Sequence, residues 1–348
     1  MSIHDAGAES AVHTRRRANA NASLVQVAER AGVSVGTVSK VLNGVTRGFS
    51  VKEQVRKRIE LAVRELNYRA DPLARLLRRN DCRVVGITSP RWIDFTGVYY
   101  TILISIVQKL RALDIRPCLS FPPAGEWKVM IEPWMRDGVI VLHANQPEEL
   151  ADLDDLNIPY VSVNGATGAN GSLVGIDDEA GTLLALRHFY DAGHRDIAFA
   201  GHRGDDAVTH TSMAVREAAY LSFMREIGRP PTLLYRKPPD LCGALRELLA
   251  QRRITALLGY DQVAMGAFHL AARDEGLVVP RDISFIAFND AELATLLSPA
   301  MTVVAMPERE MAELAVQILE DMTADLTLRK QVMLAPTLIA RDSVVPPP

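Results

Sequence analysis

The sequence has no uninterrupted apolar run near the roughly 20 residues that a membrane-spanning helix requires, so no bilayer span is expected. Cysteine is scarce. Cys82, Cys118 and Cys242 are odd in number, far apart and without a CxxC pair, which argues against a disulfide framework and a cysteine zinc site. The opening stretch "MSIHDAGAESAVHTRRRANANAS" has Arg15, Arg16 and Arg17 but no apolar segment after them. It lacks the form of a secretory signal, so residues 1–22 read as a disordered leader and a reducing cytoplasm as the simplest location. HExxH, GxSxG and P-loop signatures are also missing. The histidines at 188, 194, 202 and 210 fall close together. Two "GHR" triplets, however, flank one expected strand, so His194 and His202 would sit at opposite ends of it. Neither catalysis nor a bound metal or cofactor is expected.

What is present is uneven. The formal net charge is −3 over 348 residues. Residues 1–80 carry fifteen Lys/Arg against seven Asp/Glu, while the remainder carries 24 against 35. A basic head on an acidic body points to a head that alone meets a polyanion.

Within the head, "LVQVAERAGVSVGTVSKVLNG" holds two short periodic segments. Ser23 is a good N-cap, and Leu24, Val27, Ala28 and Ala31 share one helical face. Gly32 tolerates the positive φ of a tight turn. Ser34 caps a second helix whose buried stripe is Val38, Val41 and Leu42. Two short helices joined in this way form a helix-turn-helix. The outward face of the second helix is Val35, Gly36, Thr37, Ser39 and Lys40, mostly small or hydroxylated. Such a face lets the backbone lie close to a surface. Thr37 and Ser39 suit phosphate oxygens, and Lys40 suits a guanine edge.

A third helix is expected from about Val51 to Leu66, with Val55, Ile59, Ala62, Val63 and Leu66 inward. Lys52, Arg56, Lys57, Arg58 and Arg64 cover much of the remainder. In "NYRADPLARLLRRN", Asp71 and Pro72 suit the start of one more short helix carrying Leu73, Ala74, Leu76 and Leu77. An exposed leucine there fits a minor-groove wedge; a charged interdomain linker is the plainer alternative.

From Arg83 the pattern changes. "RVVGITS", "PCLSF", "DGVIVL", "PYVSVN", "LVGID", "DIAFAG", "TALLGY" and "ISFIAF" read as strands, with helical stretches between most of them. Continuous apolar strands alternating with helices argue for parallel, doubly wound α/β sheets. So many units favour two lobes with a ligand cleft at the C-terminal ends of the strands.

Residues 23–79 resemble the DNA-binding head of the LacI/GalR family of bacterial transcription regulators, through "VAERAGVSVGTVSKVLNG" and "NYRADPLARLLRR". The body is similar to that family's periplasmic-binding-protein-like effector domain, through "VGIDDEAG", "AGHRDIAFAG", "YDQVAMGAFHLAARDEGLVVPRDISFIAFND" and "SPAMTVVAMPEREMAELAVQIL". The implied organisation is a leader at 1–22, a head at 23–68, a hinge helix and linker at 69–82, and a two-lobed domain at 83–342. The resemblance makes Val35, Gly36 and Lys40 major-groove readers. Thr37, Ser39 and Asn43 become backbone contacts, and Leu77 the hinge wedge. Arg216 takes the place of a ligand-gripping arginine. Asp177 and Asp261 keep their motif places, but Asn289 stands where an acid is usual. Two departures mark the head: a longer "GVTRGFSVKEQV" segment, and Gly36, which offers a base no side chain. Further cleft candidates are Ser89, Trp92, Phe95, Tyr99 and His210, for each of which core packing is the alternative.

These features imply a dimeric regulator, most simply a repressor, of a near-palindromic operator in double-stranded DNA. A small effector, sugar-like by resemblance, would act in the cleft. A non-sugar ligand, or none, is the runner-up. A stand-alone solute-binding protein is opposed by the head and the missing signal.

Overall fold

The computed structural model describes residues 22–42, 51–68, 83–90, 97–121, 131, 135–202 and 210–348. The chain divides into a unit at Met1–Cys82 and a larger unit at Arg83–Pro348.

In the first unit, α1 (Leu24–Ala31) opens on a capping box. Gln26 donates its backbone N–H to Ser23 Oγ at 3.3 Å, and Ser23 N–H returns to Gln26 Oε1 at 2.8 Å. Two orphan donors of the first turn are thereby satisfied. Gly32 ends the helix at φ 64°, its N–H directed to the Ala28 and Glu29 carbonyls. A residue with a Cβ would be strained there. The second helix, α2 (Val35–Leu42), starts where Thr37 N–H meets Ser34 Oγ at 3.2 Å. The third, α3 (Glu53–Glu65), is slightly shorter than the sequence suggests. Val27, Ala28, Ala31, Val38, Ile59 and Ala62 form the core, with Leu24, Val41, Leu42, Val55, Val63 and Leu66 packed around them.

The second unit carries two six-stranded sheets. The first contains β1 (Val84–Thr88), β2 (Arg116–Ser120), β3 (Val139–Leu142), β4 (Tyr160–Val163), β5 (Ser172–Ile176) and β11 (Gln331–Leu334). Its order is β11-β5-β4-β3-β1-β2, parallel throughout. The second contains β6 (Ile197–His202), β7 (Thr232–Arg236), β8 (Ala256–Gly259), β9 (Ser284–Phe288), β10 (Thr302–Ala305) and β12 (Thr337–Ile339). Its order is β12-β10-β9-β8-β6-β7. The helices are α4 (Val98–Ala112), α5 (Ala151–Asp155), α6 (Asp178–Asp191), α7 (Thr211–Glu226), α8 (Pro238–Ala250), α9 (Gln262–Asp274), α10 (Glu292–Leu296) and α11 (Glu308–Ala324). Ile102, Ile106 and Leu110 of α4 pack with Met311, Ala315 and Leu319 of α11 on the first sheet. The second sheet is covered by α6 and α7 on one face and by α8 and α9 on the other.

The chain passes between lobes three times: before α6, before α11, and between β11 and β12. The last passage explains a departure from the all-parallel expectation, because β12 runs antiparallel to β10. Only Ala335 and Pro336 separate β11 from β12. A strand entering the second sheet directly from the cleft side must oppose neighbours that point toward the cleft. The segment beyond residue 342 also belongs to this unit. Ser343 is fully buried, donating to Phe285 C=O and accepting from Thr302 N–H, and Val345 C=O meets His194 Nε2 at 2.8 Å.

Candidate ligand cleft and nucleic-acid interface

On α2, Val38 is buried, while Val35, Gly36 and Lys40 are exposed and Thr37 and Ser39 half-buried. The Thr37 hydroxyl is 2.9 Å from Ser34 Oγ, so one polar group is held at the start of the helix. At Gly36 an added Cβ would find only Ser34 Oγ, 3.9 Å away, and no positive φ is required. Glycine at this position is therefore not demanded by packing. Asn43 and Leu77 lie outside the described residues, as do Trp92 and Phe95.

In the second unit the polar candidates sit just after the C-terminal ends of strands. Ser89 follows β1, His143 follows β3, Asn164 follows β4, Tyr260 and Asp261 follow β8, and Asn289 follows β9. His143, Asn164 and Asn289 have φ of 57°, 53° and 76°. The left-handed conformation turns the chain sharply off each strand, at a cost of about 1–3 kcal/mol that functional sites commonly carry.

His210 caps α7 and connects the two lobes. Its Nε2 is 2.8 Å from the Asn164 carbonyl oxygen and 3.4 Å from the Tyr99 hydroxyl. Only an N–H can meet a carbonyl, so Nε2 carries the proton. Nδ1 therefore accepts, from Ser212 Oγ at 2.7 Å and Ser212 N–H at 3.2 Å. The Ser212 hydroxyl, donating to His210, accepts from Tyr260 O–H at 2.8 Å. Asn164 Nδ2 closes the chain on Tyr99 at 3.0 Å. The His143 ring stacks on Tyr99 at 5.0 Å and meets His210 edge-on at 4.8 Å. Burial pushes His210 below its ordinary value and the Tyr99 and Tyr260 phenols above theirs. The network is thus neutral, with its donors and acceptors in fixed order.

Arg216, 4% exposed, is beside this network. Its Nε donates to Asp178 Oδ1 at 2.7 Å and its Nη1 to the Tyr260 carbonyl at 2.7 Å. The guanidinium lies 3.6 Å over the Phe288 ring. Asp177 accepts from Ala180 N–H and caps α6, and Asp261 accepts from Val263 and Ala264 N–H and caps α9. Asn289 Nδ2 donates to Gln262 Oε1 at 3.0 Å, while its buried Oδ1 has no partner among the described residues. Gln262 comes within 3.6 Å of where a Cβ on Gly97 would stand, placing the Asn289 pair at the boundary between lobes. His143, Asn164, Asp178, Ser212, Tyr260 and Gln262 were not singled out in the sequence. The available signal for His143 and Asn164 was a polar residue directly after a buried strand, as in "VIVLH" and "VSVN".

A family model for "Bacterial regulatory proteins, lacI family" matches residues 23–71, and one for a "Periplasmic binding protein-like domain" matches residues 186–344. The HTH-type transcriptional repressor PurR of Erwinia tasmaniensis is 31% identical over 342 residues, covering 94% of this chain and 98% of its own. The chain belongs to the lacI family. The ribose operon repressor of Escherichia coli K12 is 28% identical over 341 residues, covering 92% and 99%. Among solved structures, the Lac repressor dimer bound to operator and the anti-inducer ONPF is similar in fold. Its TM-score is 0.70 at 19% identity, covering 94% of this chain and all of that one. As a lacI-family member, the protein is a DNA-binding transcriptional regulator with a helix-turn-helix domain and an effector domain. Its relatives are regulators rather than enzymes. No helix among the described residues is long and apolar enough to cross a membrane.

Proposed function

We propose that the protein is a homodimeric, cytoplasmic repressor that binds a near-palindromic operator and is controlled by a small effector in the interlobe cleft. Two copies of α2 enter successive major grooves, with Val35, Gly36 and Lys40 facing bases and Thr37, Ser39 and Asn43 holding the backbone. Leu77 wedges the central minor-groove step, the bend being repaid by added contacts. The effector alters the balance between lobe arrangements by binding one more tightly than the other. Ser89, Phe95, Asp177, His210, Arg216, Asp261 and Asn289 are the proposed effector-binding set. Asp177 and Asp261 serve chiefly by fixing the helix starts they cap.

The observation that carries this reading is the convergence of polar strand-end residues from both lobes on His210. Solved neighbours in complex with cellobiose and ribose support a sugar-like effector. The stacked Tyr99–His143 pair, and Asn289 in place of an acid, favour a planar non-sugar ligand as the second reading.

Selection of bound sites from random duplex DNA by the purified chain tests the proposal. Enrichment of a palindrome with a flexible central step supports head, dimer and hinge together. Enrichment of unpaired half-sites would overturn the dimeric reading.

A further inference from the structure

Glycine is less favourable in a helix than any residue but proline, yet α6 carries a buried one near its start, Gly181. No unusual backbone angle calls for it, since its φ is not positive. Its N–H makes the ordinary helical bond to Asp177 C=O at 3.0 Å. The reason lies in what surrounds it. A Cβ at this position would stand 3.0 Å from Phe288 Cε1, 3.0 Å from Pro336 Cγ and 3.1 Å from Val304 Cγ1. Contacts that short require the neighbours to give way.

Two of these neighbours, and the glycine itself, mark the places where the chain changes lobe. Ile176 belongs to the core of the first lobe and Leu183 packs on that of the second, so α6 opens as the first passage ends. Val304 belongs to the second-lobe core and Met306 to the first, so the second passage is made at Ala305. Leu334 and Leu338 bracket the third in the same way, with Pro336 midway. Asp177 N–H donates to Leu334 C=O at 2.9 Å, tying the first passage to the third. All three passages thus close on one Cα. The remaining neighbour, Phe288, carries the Arg216 guanidinium 3.6 Å over its ring.

The geometry points to Gly181 as the pivot of the effector unit: its missing side chain lets the three passages pack on one point, and a side chain there favours lobe arrangements in which they separate. The inference rests on the proposed exchange between lobe arrangements. A turn of one lobe on the other must be absorbed in these short passages, because the cores on either side are close-packed and do not deform continuously. A methyl group at 181 overfills the arrangement seen here. It overfills less where Val304 or Pro336 has moved away from α6. That difference sets its effect on the balance, as differential affinity sets the effect of a ligand.

The test measures the distance between spin labels on the two lobes of the full chain. Asp152→Cys on α5 and Glu226→Cys on α7, both exposed positions, carry the labels in a Cys82→Ser/Cys118→Ser/Cys242→Ser background. Labelled chain is diluted into excess unlabelled chain, so that each pair is read within one chain. Gly181→Ala is expected to change the ratio of lobe arrangements about fivefold or more, the low end of an allosteric coupling, read as a moved or second distance. Val304→Ala, which removes Cγ1 from beside the pivot, should reverse part of that change when added to Gly181→Ala. By itself Val304→Ala should broaden the distribution. Val161→Ala, the same truncation at an equally buried site in the first-lobe core, should lower stability and leave the distances as they are.

A folded Gly181→Ala chain with the parent distribution would overturn the pivot. So would equal broadening by the two valine variants, because ordinary loss of core packing would then account for it. If Gly181→Ala does not fold, the contrast between the two valine variants decides the matter. A distance that Val304→Ala moves and Gly181→Ala does not leaves the exchange of lobes standing and the pivot refuted. A distance that no variant moves refutes both.

Discussion

The Nε2 of His210 lies 2.8 Å from the main-chain oxygen of Asn164, so an imidazole hydrogen bond joins the two lobes of the effector unit. Tyr99 on the first lobe, and Ser212 and Tyr260 on the second, extend that bond into a chain of fixed polarity. A charged imidazole does not fit it. With Nδ1 protonated, the ring would face the Ser212 N–H with a second donor.

This arrangement has a pH consequence. The folded-state value of His210 is depressed below its ordinary 6.5, mainly by burial, with Arg216 acting in the same direction and Asp178 against it. As pH falls through about 6.5, the unfolded chain takes up the proton first. The His210 contribution is therefore complete above that value and is lost as pH falls through the depressed folded value. His194, also depressed by burial, adds a slope of the same sign. His210→Asn retains a short acceptor for the Ser212 N–H but does not reach Asn164. We expect the effector unit to lose about 1–3 kcal/mol near pH 8, with a shallower decline toward pH 5. Denaturant unfolding across that range measures both, and an unchanged slope would remove His210 from the pH response.

Arg216 and Asp178 form a buried pair whose cost appears only when it is broken. Asp178→Ala leaves a guanidinium 4% exposed with no carboxylate, and a loss of about 3–5 kcal/mol is expected. Replacing both, as Arg216→Met with Asp178→Leu, should recover most of that stability while abolishing the effector response. A double-mutant cycle in denaturant, paired with operator release by the effector once it is known, separates the structural role from the binding one.

The head was legible because its signals are local. Ser23 with Gln26, Gly32 and Ser34 mark three helix ends within a dozen residues, and each makes the bond its residue type implies. Strands such as Val139–Leu142 and Ser284–Phe288 were legible as unbroken apolar runs, buried on both faces. Thr232–Arg236, Gln331–Leu334 and Thr337–Ile339 were not, because each lies at a sheet edge with exposure alternating or mixed along a short segment. The cleft was legible by halves. Arg216 was expected from the resemblance and His210 only from its place just before it, while Asp178 lies 38 residues from Arg216 and Asn164 46 from His210. The packing of α6 against α7 on the second sheet joins the first pair, the passage of the chain between lobes joins the second, and no local pattern records either.

Among the described residues of the head, Ile59 is the largest wholly buried side chain, clustered with Val27, Ala28, Val38 and Ala62. Ile59→Ala should cost about 2–5 kcal/mol, a large share of the stability of so small a core. Hydrogen exchange is expected to accelerate across Leu24–Leu42 and Glu53–Glu65. Amides of β3 and β9 in the second unit provide the internal control. Operator affinity should fall for every sequence alike, since the fold of the reader is lost rather than one of its contacts.

Gly36 gives the opposite test, a change that favours the fold and disfavours the function. Its backbone requires no positive φ, and a Cβ there meets only Ser34 Oγ at 3.9 Å. Alanine is better than glycine within a helix by about 0.8–1 kcal/mol, so Gly36→Ala should stabilise the head by a substantial part of that amount. If α2 lies against base edges, the same methyl fills the space through which the backbone approaches the groove. The selected site should then change at the facing base pair, or affinity should fall about tenfold, while thermal unfolding of the head moves upward. Lys40→Ala, on the exposed side one turn later, should instead relax preference at one symmetric pair of positions and leave the head's stability almost unchanged. A Gly36→Ala protein that is more stable and selects the same site with the same affinity would move the DNA contact away from the start of α2.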